Sequence, residues 1–517
     1  MNTFKQRLLT HFNLSEQAFD LLTSPISYDN LPSYKGFEHI ERIKTRILEA
    51  IERQEKIIVY GDYDCDGVMS TSIVVATFNK LNYPISYKLP SRYQDGYGLT
   101  VAAVENLAEQ GINLIITVDN GISQIEAVKR ASQLGIDVII TDHHELLGEL
   151  PKAYAIMHPI LSGYGDIVAC GAYVALMLSH ALLGYLDDYL LTLAGIATIS
   201  DMMPLVGYNR DVVRLALLNI NKDKYINLMK LAEVNEITET VIAMKIAPKI
   251  NAVGRMMMGS ELNILVEYMI TDDLRRINDI YTWIYEVNES RKETMKEATA
   301  NVEDINLDEP SIILITKENE GMLGLLAARF VGAYTKPSIV FTYDSNDPTL
   351  LKGSARSRKG FNIGKAFSDL SDLMLKFGGH ELAGGCTIRK ADFEKFKKRF
   401  NELAATYLFE EQVERVIDID KNELTWVNYS LYRKLAPYGQ GFELPLFRIK
   451  QQLTSELSYS RDGKHIISTI FNGIKIVAFN VDSDYIKAHT FIDLIGSLSV
   501  SEYKNYKDLT FFVQKII

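Results

Sequence analysis

Cysteine is scarce in this sequence. Three cysteines (Cys65, Cys170 and Cys386) occur among 517 residues, widely spaced and odd in number. A disulfide framework is therefore not expected, and a reducing cytoplasm is the expected compartment. Because thiolates favour zinc, their scarcity also disfavours a zinc site.

Long hydrophobic runs are also missing. The longest apolar stretch, residues 173–186, is interrupted by Ser179 and His180 and is shorter than the ~20 residues needed to span a bilayer. Residues 1–14 mix charged side chains into the apolar ones, so they do not resemble a secretory signal. Neither a membrane protein nor an exported one is expected.

The chain has no excess of positive charge. Its 55 Lys and Arg against 66 Asp and Glu give a net charge of −11, which disfavours nucleic-acid binding by overall charge and requires a local basic patch for any polyanion. The hydrophobic fraction of 47% and charged fraction of 23% are those of a folded globular protein. The length predicts about three domains.

Short β-branched segments alternate with helical patterns in the first third of the chain. This alternation predicts a mostly parallel, doubly wound α/β sheet. The predicted strands are 57–60, 85–89, 113–118 and 137–141, and the predicted helices are 68–81, 100–110 and 123–134.

The remainder of the chain changes pattern twice. Residues 272–300 predict a long polar helix that connects two lobes, and a strand at 311–316 opens a second α/β region. After residue 413 the strands become short, with Asp462-Gly463 and Asn472-Gly473 as hairpin turns. This last pattern predicts a small all-β barrel.

Acidic and histidine residues follow three of the predicted parallel strands. Because the carboxyl ends of such strands line one crevice, these side chains are expected to meet there. The residues are Asp62, Asp64 and Asp66 after the first strand, Asp119 after the third, and Asp142, His143 and His144 after the fourth.

So many like charges require cations between them. Oxygen ligands with one or two imidazoles suit Mn²⁺ or Mg²⁺, and two such ions about 3.5–4 Å apart support phosphoester or phosphoanhydride hydrolysis. A single Asp after a strand more often caps a helix, but three acids in five residues favour metal binding. For Asp201 the spacing leaves a ligand role and a helix end equally open.

Residues 351–400 form a basic window, with 12 Lys and Arg against five Asp and Glu. Two glycine-lined segments, Gly353–Ser357 and Gly378–Gly385, could bring a phosphate to backbone N–H groups and an arginine. Residues 395–399 alone would more often be a solvated helix face. Together with the glycines, the window predicts a phosphate site.

With these motifs in order, the chain resembles the RecJ family of single-strand-specific DNA exonucleases in the DHH phosphoesterase superfamily. The resemblance covers nearly the whole chain. The motifs that carry it are Gly61–Gly67, Arg92–Gly98, Asp119–Gly121, Asp142–His144, Asp201 with Pro204, Asn251–Arg255, Ser354–Ser357 and Gly378–Gly385.

The resemblance implies a role for each matching residue. Two Mn²⁺ or Mg²⁺ ions would be held by the metal ligands Asp64, Asp66, Asp119, His143 and Asp201. The catalytic residues would be His144, which would contact the scissile phosphate or orient the metal ligands, and Asp62, as an extra ligand or a group behind the ligands. The substrate-binding residues would be Asn251, Arg255 and His380 on the strand, and Arg92, Ser354 and Arg356 on its 5′-phosphate, with Tyr97 shaping the entry.

The resemblance also implies an activity and an organisation. The activity would be 5′ to 3′ digestion of single-stranded DNA with a 5′-phosphate to mononucleotides in DNA repair and recombination, by a monomer working with a RecQ-type helicase and a single-strand-binding protein. The implied domains are an N-terminal helical segment (1–50), a DHH domain (51–260), a connector helix (261–305), a DHHA1 substrate-binding domain (306–409) and an OB-fold (410–517). In the OB-fold, bases could stack on Tyr459, Phe471, Phe479, Tyr503 and Tyr506, or these could be core residues.

The sequence departs from the family pattern in two places, and it leaves two alternative functions open. Tyr60 stands where other DHH branches carry a metal-binding His, and Gly439–Glu443 lacks the family's Asn-Pro turn. One alternative is a phosphodiesterase for short oligonucleotides or cyclic dinucleotides, which would need no barrel. The other is a strand-binding replication factor without catalysis, disfavoured because every expected ligand position is filled.

Overall fold

The computed structural model describes residues 3–91, 93, 98–146, 148–164, 168–257, 259–300, 305–345, 347–406, 415–469, 473–503 and 506–517. The chain forms two compact units. The large unit contains Ser33–Asp201 and Asn219–Glu411, and the small unit contains Met1–Pro32, Met202–Leu218 and Gln412–Ile517.

Helices occur in both units. In chain order they are α1 (Thr3–His11), α2 (Glu16–Thr23), α3 (Ile40–Glu52), α4 (Cys65–Lys80), α5 (Val101–Glu109), α6 (Ile125–Gln133), α7 (Gly171–Leu183), α8 (Asp188–Ser200), α9 (Gly207–Asp223), α10 (Ile226–Ala232), α11 (Glu239–Val241), α12 (Ala247–Met256), α13 (Asn263–Ile270), α14 (Leu274–Ala300), α15 (Glu320–Tyr334), α16 (Ile363–Asp369), α17 (Phe393–Ala405), α18 (Trp426–Arg433) and α19 (Ser483–Ala488). A π-helical turn, Ile242–Ile246, precedes α12. Among the described residues, no helix has the length and apolar character that a bilayer crossing requires.

The first sheet of the large unit is entirely parallel. Its strands are β1 (Ile57–Tyr60), β2 (Ser86–Lys88), β3 (Leu114–Val118), β4 (Asp137–Thr141) and β5 (Ala155–Met157), in the order β2-β1-β3-β4-β5. Ile58 and Tyr60 pack in one core with α5 and α6. Ile57 and Val59 are buried on the opposite face, and α4 and α7 contact the strands. The predicted doubly wound sheet is confirmed, and the three-residue β5 is an addition to it.

The second sheet of the large unit is mixed. It comprises β6 (Ile312–Ile315), β7 (Ser338–Tyr343), β8 (Leu350–Arg356), β9 (Met374–Gly379) and β10 (Ala383–Arg389), in the order β6-β7-β8-β10-β9. Only β6 and β7 pair in parallel. One apolar cluster joins the sheet to α15 and another joins it to α16 and α17. The long helix α14 contacts α12, α13 and α15.

The small unit contains a six-stranded sheet. Its strands are β11 (Val416–Ile419), β12 (Leu446–Leu453), β13 (Ile466–Thr469), β14 (Lys475–Ala478), β15 (Phe491–Tyr503) and β16 (Tyr506–Ile516), in the order β11-β12-β15-β16-β14-β13. The strands beside the predicted Asn-Gly turn pair antiparallel. Phe4 of α1 and Phe19 of α2 share the core of this sheet. In the altered segment, Gly439 and Phe442 bridge across a turn in which Gly441 has φ +73°.

Candidate active site

The three acids after β1 are held by a tight loop and two helix starts. The Asp64 side chain caps α4 by accepting from the Gly67 N–H at 3.0 Å. Asp66 accepts from the Gly171 N–H at 2.7 Å, at the start of α7. A Cβ on Gly67 would lie 2.4 Å from the Asp62 carbonyl oxygen, so this turn requires glycine.

Asp119 adopts a left-handed backbone conformation at the end of β3. Its φ is +59°, in a region that Asp and Asn adopt more often than most residues other than glycine. A Cβ on Gly171 would lie 2.7 Å from the Asp119 Cβ, so the start of α7 abuts this residue. Asn120 donates to the Tyr60 and Gly61 carbonyls at 3.1 and 2.9 Å, which fixes the end of β3 beside that of β1.

Asp142 organises the segment that follows β4. Its Oδ1 accepts from the backbone N–H groups of His143 and His144, at 2.7 and 3.1 Å, and contacts His144 Nδ1 at 2.7 Å. Its Oδ2 accepts from the Ile122 N–H at 2.9 Å. The expectation that Asp142 adds a carboxylate to the metal crevice is wrong, because Asp142 is absent from the sets of described side chains whose ligand atoms could share a cation. It positions the two histidines instead.

His143 lies at the centre of the acidic cluster. Its Nε2 is 3.1 Å from Asp119 Oδ1, 3.6 Å from Asp66 Oδ2 and 3.7 Å from Asp201 Oδ2. Asp201, which the spacing left open, is thus brought into the cluster as the cap at the end of α8. Three sets of side chains offer ligand atoms within 4.8 Å of one another: Asp62, Asp64 and Asp119; Asp66, His143 and Asp201; and Asp119, His143 and His144.

The acidic cluster carries uncompensated negative charge. Burial and the neighbouring carboxylates of Asp66 and Asp64 raise the pKa of Asp201 to about 8. Burial, followed by nearby carboxylates, also raises the pKa of Asp64 and Asp119. Asp201 Oδ2 is buried without a hydrogen-bond partner in the described part of the chain. Buried carboxylate oxygens around one imidazole are a donor set that fits Mn²⁺ or Mg²⁺, so these residues could hold divalent cations.

In the metal-free protein, the free energy of unfolding is expected to fall as the pH rises from about 4 to about 8. The pKa of Asp201 is about 8 when folded, against an ordinary value of 3.8. Between these values the folded protein binds more protons than the unfolded chain, so raising the pH favours unfolding. Bound cations offset this repulsion, and at 100 times their Kd they should stabilise the protein by ~2.7 kcal/mol near pH 8. Near pH 5 the gain should be smaller, because protons compete for the carboxylates.

Thermal unfolding with and without Mn²⁺ at the two pH values measures this difference. Asp201→Asn should reduce the gain at high pH, whereas Glu109→Gln, which changes an exposed acid on α5, should not. An equal Mn²⁺ effect at both pH values and in both variants would contradict the assignment.

His144 lies at the edge of the cluster, beside Asp142. Burial would lower its pKa, but the hydrogen bond to Asp142 and the charge of that residue raise it to about 9. Burial would raise the pKa of Asp142, but the hydrogen bond to His144 and the charge of that residue lower it to about 2. His158 Nε2 donates to the His144 carbonyl at 2.8 Å, and its Nδ1 accepts from the Ile160 N–H at 3.2 Å. His158 therefore supports this segment, a role that no sequence pattern indicated.

A basic pocket of about 390 Å³ lies on the second sheet of the large unit. Arg356 donates to Ser354 Oγ at 3.2 Å and to the Ala355 carbonyl at 2.8 Å. A Cβ on Gly324 of α15 would lie 2.7 Å from Arg356 Nη2, so this glycine makes room for the guanidinium. The residues that line the pocket are Arg255, Glu320, Leu323, Gly324, Lys352, Gly353, Ser354, Arg356, Lys376, Phe377, Gly385, Cys386 and Thr387.

Helix α12 links this pocket to the acidic loop. Asn251 Oδ1 accepts from the Cys65 N–H at 2.8 Å, so this side chain, predicted to contact substrate, also holds the loop. A Cβ on Gly254 would lie 2.3 Å from the Tyr63 carbonyl oxygen. Arg255, the next residue, lines the pocket and donates to the Gly321 carbonyl at 3.1 Å. The cluster and the pocket are therefore joined by one short, closely packed helix.

Of the three predicted substrate-binding residues that remain, His380 lies within the described part of the chain. His380, directly after β9, lies with its Nδ1 3.5 Å from the carboxylate of Glu145, one residue beyond His144, and both side chains are largely exposed. Arg92 and Tyr97 lie outside the described residues.

Three family models match the chain in succession. They are the DHH family, N-terminal domain, over residues 56–198, the DHHA1 domain over residues 310–406, and the RecJ OB domain over residues 417–515. Fold and site together therefore define a DHH phosphoesterase with a DHHA1 lobe and an OB domain.

Comparison with curated relatives identifies the family within this class. The single-stranded-DNA-specific exonuclease RecJ of Escherichia coli is 30% identical over an alignment of 529 positions, which covers 92% of this chain and 90% of that protein. The protein of the same name from Bacillus subtilis is 34% identical over 89% of this chain, which spans 61% of that protein's length. The chain belongs to the RecJ family, as its motifs predicted.

Solved structures agree with this assignment. The crystal structure of RecJ in complex with Mn²⁺ from Thermus thermophilus covers 99% of this chain and 76% of its own, with a TM-score of 0.84 and 24% identity, and shows the same fold. A crystal structure of exonuclease RecJ bound to manganese covers 74% of this chain and 97% of its own, with a TM-score of 0.63 and 29% identity.

Proposed function

We propose that the protein is a two-cation exonuclease that digests single-stranded DNA from a 5′-phosphorylated end and releases mononucleotides, in DNA repair and recombination. The observation that carries the proposal is the link between the acidic cluster and the basic pocket through α12. A phosphate held in the pocket sets a fixed distance to the cluster. A fixed distance from a terminal phosphate gives both a direction of digestion and a constant product size.

The acidic cluster supplies the hydrolytic centre. Asp64, Asp66, Asp119, His143 and Asp201 hold the cations, and Asp62 is a further ligand or a group behind them. When bound, the two cations activate a water and stabilise the attacking and leaving oxygens. The manganese named with the related structures and the oxygen-rich donor set both support this assignment.

Protein cations bind the substrate around this centre. The Asp142 carboxylate, 2.7 Å from His144 Nδ1, favours the protonated ring, which can donate to an oxygen of the scissile phosphate. Arg255 and His380 contact the strand between the two lobes of the large unit. Ser354 and Arg356, with Arg92, bind the 5′-terminal phosphate, and Tyr97 shapes the entry. A guanidinium beside a hydroxyl is suited to phosphate because it offers paired N–H donors in one plane.

The direction of digestion tests the proposal. A strand of ~40 nucleotides is labelled at its 3′ end and digested with Mn²⁺, and the products are separated by length at successive times. Stepwise shortening of the labelled strand is expected. Immediate release of a labelled mononucleotide would contradict the proposed 5′ to 3′ direction.

Asp142→Asn is expected to change the pH dependence of digestion. The hydrogen bond to Asp142 and the charge of that residue are the two largest influences that raise the pKa of His144, so this pKa should fall when the carboxylate charge is lost. Activity should then be lost at high pH, by about 10- to 100-fold at pH 8 and by less at pH 6, since partners behind the ligands contribute about this much. Rates on one strand across pH measure the shift.

Asp137→Asn is the matched control for this variant, because Asp137 begins the same strand and pairs with Arg46 at 2.7 Å. It should leave the pH profile unchanged. A pH-independent loss in Asp142→Asn would indicate a purely structural role.

Hydrolysis of short oligonucleotides or cyclic dinucleotides is a second candidate. It is favoured by one observation: the cluster and the basic pocket both belong to the large unit. Rates on strands of two to five nucleotides are compared with the rate on ~40 nucleotides. Cleavage of the short strands alone would support this candidate, whereas digestion of the long strand supports the exonuclease.

The family resemblance supports further proposals about how the enzyme works. It acts as a monomer on strands unwound by a RecQ-type helicase and coated by a single-strand-binding protein. Its three buried free thiols agree with a reducing cytoplasm. In the OB domain, Phe479, with 62% of its surface exposed, is available for stacking a base, and Tyr459 lies under the Lys487 ammonium at 5.8 Å. Phe471 lies outside the described residues, and the side chains of Tyr503 and Tyr506 are not described.

A further inference from the structure

The basic pocket has two rows of polar side chains. On β8, Lys352, Ser354 and Arg356 alternate with buried residues and so share one face of the sheet. Lys352 lies opposite Thr387 on the neighbouring strand β10, and Thr387 lies opposite Lys376 on the edge strand β9. These three residues form the outer row, which lies two residues, or ~6.7 Å, from Ser354 towards the start of β8.

The two rows differ in charge. Beside Ser354 the pocket is lined by two guanidinium groups, those of Arg255 and Arg356. In the outer row, the Lys352 ammonium is 2.8 Å from the Glu320 carboxylate and 3.2 Å from the Asp344 carboxylate. Two carboxylates therefore compensate the charge of Lys352, whereas the inner part of the pocket carries the charges of the two arginines.

A terminal phosphate monoester carries a charge of about −1.5 to −2 at pH 7, and Ser354 and Arg356 would receive it in the inner part of the pocket. The additional phosphates of a di- or triphosphate that extend towards the outer row would find the charge of Lys352 already compensated. They would also meet the carboxylate of Glu320, which is part of the pocket wall.

We propose that Glu320 makes the pocket selective for strands that end in a single 5′-phosphate and against those that end in a 5′-diphosphate or triphosphate. The inference rests on the proposed function, in which the pocket receives the 5′ end of the strand. It makes Glu320 a specificity-determining residue.

Glu320 is held in place to perform this role. It is the first residue of α15, and the carbonyl of the next residue, Gly321, accepts from Arg255. Its carboxylate is fixed by Lys352, which Asp344 holds from the other side. The carboxylate therefore cannot leave the outer row without breaking the ion pair.

The test uses one strand with three different 5′ ends: a monophosphate, a triphosphate and a hydroxyl. Digestion rates are measured with excess Mn²⁺ for the wild type and for Glu320→Gln, which keeps the volume of the side chain and a hydrogen bond to Lys352. The ratio of the triphosphate rate to the monophosphate rate should rise about tenfold in the variant, because one repulsive charge is removed close to the ligand. The ratio is taken within one protein, so a uniform change of both rates does not affect it, and an unchanged midpoint of thermal unfolding shows that the variant is folded. The gain should diminish at high salt.

Glu318→Gln is the matched control, since it removes a neighbouring carboxylate that is not among the lining residues. It should leave the rate ratio unchanged. Equal use of triphosphate and monophosphate by the wild type, or an identical ratio in wild type and Glu320→Gln, would overturn the proposal.

Equilibrium binding of the same strands to the metal-free protein separates this inference from the proposed function. If no strand is digested, the proposed function fails. The binding ratio of triphosphate to monophosphate ends still tests Glu320: a rise in the variant supports the inference, and an unchanged ratio overturns it.

Discussion

Replacing Asp119 with asparagine is expected to lower strand digestion more than about 100-fold, while the protein stays folded. Asp119 belongs to two of the three sets of side chains that could hold a cation, so one substitution removes a ligand from both. Loss of a group behind the ligands already costs about 10- to 100-fold, and a direct ligand should cost more. Asparagine tolerates the left-handed backbone that Asp119 adopts at φ +59°.

The stability of Asp119→Asn shows whether the variant has lost only its activity or has also lost its fold. Because one of several crowded carboxylates is removed, the metal-free variant should be at least as stable as the wild type. Mn²⁺ binding, followed by calorimetry, should weaken in parallel with activity. Glu126→Gln, which removes an exposed carboxylate on α6, should change neither. Undiminished digestion by Asp119→Asn would contradict the metal assignment.

Replacing Arg356 with glutamine is expected to abolish the preference for a 5′-phosphate. Arg356 is oriented by Ser354 Oγ and the Ala355 carbonyl, and Gly324 makes room for its guanidinium. Hydrogen bonds to a charged group contribute about 1.5–3 kcal/mol each, so two such bonds correspond to a loss of about 100-fold or more. The value of kcat/KM should fall for the phosphorylated strand and stay nearly constant for the strand with a 5′-hydroxyl.

Arg389→Gln provides the control for this prediction. Arg389 ends β10, at the opposite end of the same sheet, with 60% of its side chain exposed. Its replacement should leave both rates unchanged. An equal fall for both strands in Arg356→Gln would show that Arg356 acts on the strand in general and not on the terminal phosphate.

Much of the acidic cluster follows from the sequence. Parallel strands end at one edge of a sheet, so acids placed directly after β1, β3 and β4 had to meet, and His143 with Asp119 and Asp66 does so. Spacing could not decide whether Asp201 is a metal ligand or only ends a helix. Asp201 follows a helix and reaches the cluster only through the packing of α8. The family motif supplied that residue.

Other features depend on side-chain direction or on distant contacts, which no local pattern encodes. Asp142 follows a strand like the other acids, but a turn of its own segment directs its oxygens to backbone N–H groups. Glu320 enters the basic pocket only because α15 packs on β8. The small unit joins stretches of chain that are far apart in sequence. Only long-range packing brings α1 and α2 into the core of its six-stranded sheet.

We expect the acidic cluster to depend on cations and to act on strands anchored by a 5′-phosphate. Digestion of one 3′-labelled single strand with and without a 5′-phosphate, each with Mn²⁺ and with a chelator, tests both expectations. Stepwise shortening from the 5′ end should occur only with Mn²⁺ and should be faster with the phosphate. Digestion that persists in the chelator, or equal rates with and without the phosphate, would contradict these expectations.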